Sequence, residues 1–331
     1  MFLQQLILVL FSVSVAHGAL SLGAYGANSN KVSISGLSSG AFMTVQMQVA
    51  HSKTFMGAGV VAGGPYYCAQ ASALRATGEC METGNINVGY LQQVTRNTVL
   101  TGTIDAVSNM YNHRVYLFSG TSDTVVQQPV MEALDLYLQE FVNPANIKKQ
   151  FSMNAGHAFI TDNFGNSCSA NADPFISDCN SNEAYNILNH IYGGLVKPSS
   201  FSPPALTGDF YEFNQAEFIS FPNSYSVDDT GYAYVPSGCS SSSSNCKVHV
   251  VLHGCLQGKE SVGTECALNI GYNEVAELND IIVIYPQAIV RSVIGNPNGC
   301  WDWWGYTGVN YASKLGDQMK AIKGMVDRVL S

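Results

Sequence analysis

The sequence predicts an α/β fold, a mainly parallel sheet with helices on both faces. Short apolar runs of strand length alternate with longer stretches of helical spacing, the pattern of parallel strands joined by helical crossovers. The chain has 331 residues, enough to bury a large core. Hydrophobic residues make up 46% and charged residues 12%, a globular and not a disordered balance.

The elements follow in order. An apolar run from Phe2 to Val15 leads to Ala16-His17-Gly18, small residues suited to cleavage after Gly18. Residues 1–18 therefore read as a signal peptide, although no Lys or Arg precedes the run. That run is too short to span a membrane. Residues 19–331 read as one domain. Lys31 to Ser35 alternates as a strand does, and Ala41 to Ala50 is a good helix former. Gly57 to Gly64 is a strand and turn of small residues, and Arg114 to Gly120 is a buried strand ending in a loop. Gln128 to Phe141 has helical spacing, Lys149 to Met153 is a short strand, and Glu183 to Tyr192 is a helix. Lys197 to Pro204 is a Pro/Ser linker. Beyond it come strands at Gly231–Pro236, Lys247–Leu252 and Asn279–Tyr285, then an amphipathic helix from Gln318 to Leu330. The serine run from Ser240 to Ser244 is read as a loop without function.

A net charge of −9 supplies no basic stripe, which excludes nucleic acid and anionic membrane as partners and favours a neutral substrate. No second subunit is called for, so a monomer is expected. Nine cysteines and no CxxC spacing point to disulfides and export. Three pairs are close neighbours: Cys68 with Cys80, Cys168 with Cys179, and Cys239 with Cys246. Connectivity does not follow from sequence, and one cysteine must stay free. No Asn-x-Ser/Thr sequon is present, so no N-glycan is expected.

Gly36-Leu37-Ser38-Ser39-Gly40 fits G-x-S-x-G between a strand and a helix. Such a turn strains the serine backbone, exposes its oxygen and aims the helix N-terminus at a developing oxyanion. Ser38 is the expected nucleophile. Ser39 competes but is off-centre, and its N–H is the better oxyanion donor. Asp123 lies on the loop after a core strand, where a triad acid must sit to orient a histidine; alone it could equally cap a turn. His157 follows in Asn154-Ala155-Gly156-His157, completing the order Ser, Asp, His of an α/β-hydrolase. Of the other histidines, His17 falls in the leader, His51, His113 and His190 at helix ends or before strands, and His249 inside a strand as core. His253-Gly254-Cys255 ends a strand as an HG motif that supplies a second oxyanion N–H. Such a motif normally precedes the nucleophile; here it follows.

Moving residues 208–330 in front of residue 20 gives the order YVP, VVLHGCLQ, IIVIYPQ, CWDWW, then VSISGLSSGAFM. That order resembles secreted polyhydroxyalkanoate depolymerases and the related feruloyl and acetylxylan esterases. The unmoved order resembles the circularly permuted, single-domain poly(3-hydroxybutyrate) depolymerases of fungal type, with the junction near residues 196–208. The resemblance implies Ser38, Asp123 and His157 as triad and the N–H groups of Ser39 and Cys255 as oxyanion hole. It further implies a Cys255–Cys300 disulfide, with Cys266 the free thiol, and a substrate cleft lined from among Trp301, Trp303 and Trp304, at least one of which is expected to pack as core instead. His253 is expected to shape its loop and not to act as a second base. No metal or organic cofactor is implied. The expected reaction is hydrolysis of a polyester by an acyl-enzyme mechanism. The alternatives are a feruloyl or acetylxylan-type carboxylesterase and a catalytically dead secreted binding protein. No separate substrate-binding module or threonine-rich linker follows the catalytic motifs, so adsorption to polymer is expected of the catalytic surface.

Overall fold

A computed structural model describes residues 19–83, 85–200, 202–240 and 245–331. The leader read at residues 1–18 and most of the serine run lie outside the described residues. The strands are β1 (Val32–Leu37), β2 (Gly57–Val61), β3 (Arg114–Phe118), β4 (Ile147–Gln150), β5 (Phe159–Thr161), β6 (Asn166–Ser167), β7 (Ile176–Asp178), β8 (Asp209–Asn214), β9 (Thr230–Val235), β10 (Lys247–Leu252) and β11 (Ile281–Tyr285). The helices are α1 (Ser39–Ala50), α2 (Ala73–Thr77), α3 (Val88–Val99), α4 (Gln128–Leu138), α5 (Glu183–Tyr192), α6 (Lys259–Val262), α7 (Glu265–Asn269), α8 (Tyr272–Asn279) and α9 (Asp317–Leu330).

Eight strands form one sheet in the order β4-β3-β2-β1-β10-β11-β9-β8. It is parallel from β4 to β11, and β9 and β8 close it antiparallel. The central strands β1, β2, β10 and β11 are buried almost throughout, as expected where helices cover both faces. A small sheet of β5, β7 and β6 stands apart. The sequence reading missed α3, α8 and β8, and it placed β4 two residues late. β8 reads Asp-Phe-Tyr-Glu-Phe-Asn and is half exposed, so it lacks the continuous apolar run that marks a core strand. No helix among the described residues is long and apolar enough to cross a membrane.

Alternation along β1 turns Ser33 and Ser35 to one face and Val32 and Ile34 to the other. The serines enclose His249 of β10: Ser33 Oγ lies 2.6 Å from Nδ1 and Ser35 Oγ 2.7 Å from Nε2. Tyr192 of α5 and Tyr272 of α8 complete the network at 2.6 and 2.7 Å from the two hydroxyls. Each buried polar group is thereby partnered, which is what allows them in a core strand. The segment Tyr25–Ala27 also meets the last residues of the chain. Gly26 N–H donates to Ser331 C=O at 2.9 Å, and Tyr25 N–H to Val329 C=O at 3.2 Å.

Burial lowers the His249 pKa to about 3. The unfolded chain binds its proton below about pH 6.5 while the folded chain does not, so this histidine removes stability as pH falls through that window. The stability advantage of wild type over His249→Gln should shrink by about 1.4 kcal/mol per pH unit below about pH 6.5. Urea unfolding of both proteins at pH 7 and pH 4.5 measures this, and a constant difference would contradict it.

Candidate active site

The site forms where β1 hands over to α1. Ser38 takes φ 55° and ψ −121°, a left-handed φ that costs an L-residue about 1–2 kcal/mol. Its neighbours hold it there: Ser38 N–H donates to Val61 C=O, and its carbonyl accepts Phe42 N–H, both at 3.0 Å. The flanking glycines make the turn possible. A Cβ on Gly36 would lie 2.4 Å from Gly40 O, and one on Gly40 would lie 2.3 Å from Leu252 O. Helix α1 can press its first turn onto β1 and β10 only because neither side chain exists.

Asp123 follows β3 and His157 follows β4. Asp123 Oδ2 accepts from His157 Nδ1 at 2.8 Å, and Oδ1 accepts the N–H groups of Val125 and Val126 at 2.8 and 2.9 Å. The two side chains are 1% and 5% exposed, so three donors compensate a carboxylate removed from water. With its proton on Nδ1, the imidazole presents Nε2 as a base. His157 and Ser38 line one cavity of about 200 Å³ with Phe42, Val125, Phe175, Cys255 and Trp303. Ser38 Oγ has no hydrogen-bond partner among the described residues, so the Oγ–Nε2 bond is not formed in this state. Such bonds tighten when substrate is bound.

Ser39 opens α1, so its N–H has no partner within the helix. Cys255 N–H has none among the described residues. Gly254 stands against the nucleophile, since a Cβ there would lie 3.5 Å from Ser38 Cβ. The expected oxyanion residues thus come to Ser38 from two different strands.

The tryptophans divide. Trp303 stacks on Phe42 with ring centroids 3.9 Å apart. It lines both the Ser38–His157 cavity and an adjoining one of about 290 Å³, which Trp304 also lines. Trp301 corrects the sequence reading. It is 1% exposed, lines neither cavity and packs against His253 with centroids 5.5 Å apart. Its place is beneath the site and not in the cleft.

Disulfides join Cys68 to Cys80, Cys168 to Cys179, Cys239 to Cys246 and Cys255 to Cys300. Cys266 is free and buried, and burial pushes its thiol pKa up to about 12, which leaves it inert as a nucleophile. The one cluster of metal-ligand type among the described residues is Cys239, Cys246 and Asp280. Its two sulfurs are spent in a disulfide. A wider hollow of about 450 Å³ between Tyr67, Tyr90 and Val309 holds neither an acid nor a base in its lining.

The sequence reading missed Asn171. Its Oδ1 accepts the N–H groups of His157 and Thr124 at 2.9 and 3.1 Å, and its Nδ2 donates to Ser122 C=O at 2.9 Å. One side chain therefore fastens the acid loop to the base loop. Met81, Val125, Phe175, Leu256 and Asn298 of the cavity wall were also missed. Met81 sits in a single π-helical turn, Glu79–Thr83, and the others lie in irregular segments, without a spacing pattern to reveal them.

Sheet order, a strained serine after a central strand and the His–Asp pair together define the α/β-hydrolase class. No protein-family model matches the chain. It is 46% identical to poly(3-hydroxybutyrate) depolymerase of Delftia acidovorans, covering 98% of this chain and 64% of that protein. It is 39% identical to polyhydroxybutyrate depolymerase of Talaromyces funiculosus, covering 95% and 93%. The chain belongs to the poly(3-hydroxybutyrate) depolymerase family. Among solved structures, PHB depolymerase from Penicillium funiculosum matches with TM-score 0.86 and 38% identity, over 94% of this chain and 98% of that one. A serine-to-alanine variant of PHB depolymerase complexed with R3HB trimer matches with TM-score 0.87 and the same identity and coverage.

Removing the amide of Asn171 frees both loops without deleting any atom of Ser38, Asp123 or His157. Asn171→Ala should lower kcat/KM on a soluble ester by on the order of 10- to 100-fold, the scale of small misplacements. Steady-state kinetics check this, and a variant as fast as wild type would show that the loops hold themselves.

Proposed function

We propose that the chain is a secreted serine esterase that hydrolyses ester bonds of poly(3-hydroxybutyrate)-type polyesters. One observation carries the reading: the buried His157–Asp123 pair shares a single apolar cavity with a serine held in a strained turn at a helix N-terminus. His157 Nε2 takes the proton of Ser38 Oγ as that oxygen attacks the ester carbonyl, and Asp123 stabilises the imidazolium. The N–H groups of Ser39 and Cys255 receive the oxyanion, where one donor is worth ~2.7–4 kcal/mol. The imidazolium then protonates the leaving alkoxide. Water, deprotonated by the same histidine, releases the hydroxyacid and restores Ser38.

Family membership supports a polyester substrate. The two adjoining cavities support it too, since they share Met81, Cys255, Asn298 and Trp303 as walls and are lined mainly by apolar surface. Four disulfides suit an oxidising compartment and support removal of residues 1–18 on export. We also read residues 19–331 as one circularly permuted domain, monomeric and free of cofactors. Contact of the segment Tyr25–Ala27 with the last residues of the chain supports the permutation.

The purified mature protein should clear a suspension of poly(3-hydroxybutyrate) and cleave a soluble aryl ester. Ser38→Ala should lose both activities by about 10⁴-fold or more while keeping its fold. Clearing by the alanine variant would remove Ser38 from the mechanism. Ester cleavage without clearing would leave an esterase of soluble substrates.

A further inference from the structure

The hollow between Tyr67, Tyr90 and Val309 plays no part in the reaction above. It shares no lining residue with either cavity at Ser38. Three segments build it: Tyr66 and Tyr67 beyond β2, the end of α3 with the turn to Thr103, and residues 309–313. Lys314 N–H joins two of them by donating to Thr103 C=O at 2.9 Å. Tyr67 sits on a strained backbone. Its φ of 59°, with Gln70 at 50° and Ala71 at 58°, is left-handed, which a bulky residue adopts only where its surroundings enforce it. The Cys68–Cys80 disulfide closes the segment, and Gln70 N–H donates to Tyr67 C=O at 3.0 Å. Tyr311 backs the Tyr67 ring, with centroids 5.9 Å apart, and Tyr90 is 48% exposed.

The lining contains no Asp, Glu, Lys, Arg or His, and the neighbouring Lys314 is spent on Asp105 at 2.5 Å. A carboxylate, a phosphate or a metal ion therefore finds no opposite charge there. The hydroxyl hydrogens are already committed. Those of Tyr66, Thr98, Thr101 and Ser313 go to the carbonyls of Ala312, Val94, Thr98 and Asn310, at 2.7, 2.8, 2.7 and 3.0 Å. Since Thr101 has donated, the 2.7 Å contact between the Thr101 and Thr103 hydroxyls has Thr103 as donor. What these oxygens still offer is lone pairs, and only a ligand with donors can use them. A polyester chain carries acceptors alone along its length. The hydroxyls of Tyr67 and Tyr90 and the side-chain amide of Asn310 have no partner among the described residues, and each can both give and accept.

We propose that this hollow is a second binding site, separate from the ester-cleaving one, for a neutral saccharide. The C–H faces of the sugar rings lie against Tyr67 and Tyr90, whose rings give apolar area with a polar tip. The sugar hydroxyls donate to the lone pairs of Thr98, Thr101, Thr103 and Ser313 and accept from Asn310. A volume of about 450 Å³ is within the range of small-molecule sites. The inference goes beyond the esterase reading and does not rest on it.

Isothermal titration of the mature protein with cellotriose, xylotriose and maltotriose tests this. A Ser38→Ala background is used throughout, so that an ester ligand can be compared without being cleaved. At least one trisaccharide should bind with a Kd of about 1 mM or tighter. Tyr90→Ala should weaken that binding about tenfold. Thr101→Val, which keeps the shape of the side chain and removes its lone pairs, should weaken it about three- to tenfold. Tyr67→Gly relieves the backbone while removing the ring and should match Tyr90→Ala; should it fail to fold, the other two variants, both at exposed positions, carry the test. A hydroxybutyrate trimer capped at both ends, which has acceptors only, should bind Thr101→Val as it binds the parent. No binding by any of the three trisaccharides would overturn the proposal, as would binding that Tyr90→Ala or Thr101→Val leaves unchanged. Loss of the capped oligoester in step with the trisaccharide at Thr101→Val would overturn the donor argument and make the hollow a polyester groove. Failure of the esterase reading would show as a wild-type protein inactive on esters and would leave these titrations unaltered.

Discussion

The parallel register of β1 against β10 is the constraint on which the site depends. Gly36 pairs with Leu252, so the chain leaves both strands at the same level of the sheet. Ser38 and Gly254 then emerge side by side, although they are distant in sequence. A slip of one residue would turn Ser38 into the sheet face and carry the HG segment away from it. The register is defended from both sides. His249 locks onto Ser33 and Ser35 on one face, and Gly40 touches the end of β10 closely enough to exclude any side chain.

From that level the remaining groups arrive on loops, but the loops are not loose. Asp123 is held by two backbone amides and one imidazole. Asn171 joins its loop to that of His157, and the Cys168–Cys179 disulfide closes the segment that carries Asn171 and Phe175. Gln257 then ties Phe175 back to the HG loop. The circuit is closed, running from Asp123 to His157 to the cavity wall at Phe175 to the peptide before Cys255, the proposed acid, base and oxyanion donor. Preorganisation of this kind places dipoles before charge develops, so the reaction need not reorganise its surroundings. An apolar cavity adds to the effect, because the same dipoles act more strongly where water is excluded.

Much of this was legible in the sequence, and the residues show why. The G-x-S-x-G turn is local: two glycines, a strand before and a helix after are all visible within a short window. Core strands such as β10 and β11 advertise themselves as apolar runs. The three short-range disulfides join cysteines that are close neighbours along the chain, a proximity visible in the sequence although the connectivity itself is not. Trp301 shows the limit of such reading. Aromatic residues in one segment look alike, and only the packing of the segment against His253 and Gln318 decides which ring faces the cleft. Asp302 contributes to that choice, its carboxylate gathering the N–H groups of Gly305, Tyr306 and Thr307 and its own N–H donating to Gln318. Asn171 is invisible for a different reason. Its partners are backbone groups, which carry no sequence signature.

The order of motifs along the chain is the least expected feature of the sequence and the least consequential for the chemistry. Ser38, Asp123, His157 and Cys255 all lie just beyond the carboxyl ends of parallel strands β1, β3, β4 and β10. A parallel sheet gathers those ends at one edge whatever the order in which its strands are made. Moving the chain ends from one surface loop to another would leave every register pair in place, provided the old ends lie close enough to join. In this molecule Tyr25 and Gly26 are already hydrogen-bonded to Val329 and Ser331. The geometry of the site is a property of the sheet, and the starting point of the chain is free to differ so long as the β1–β10 pairing survives.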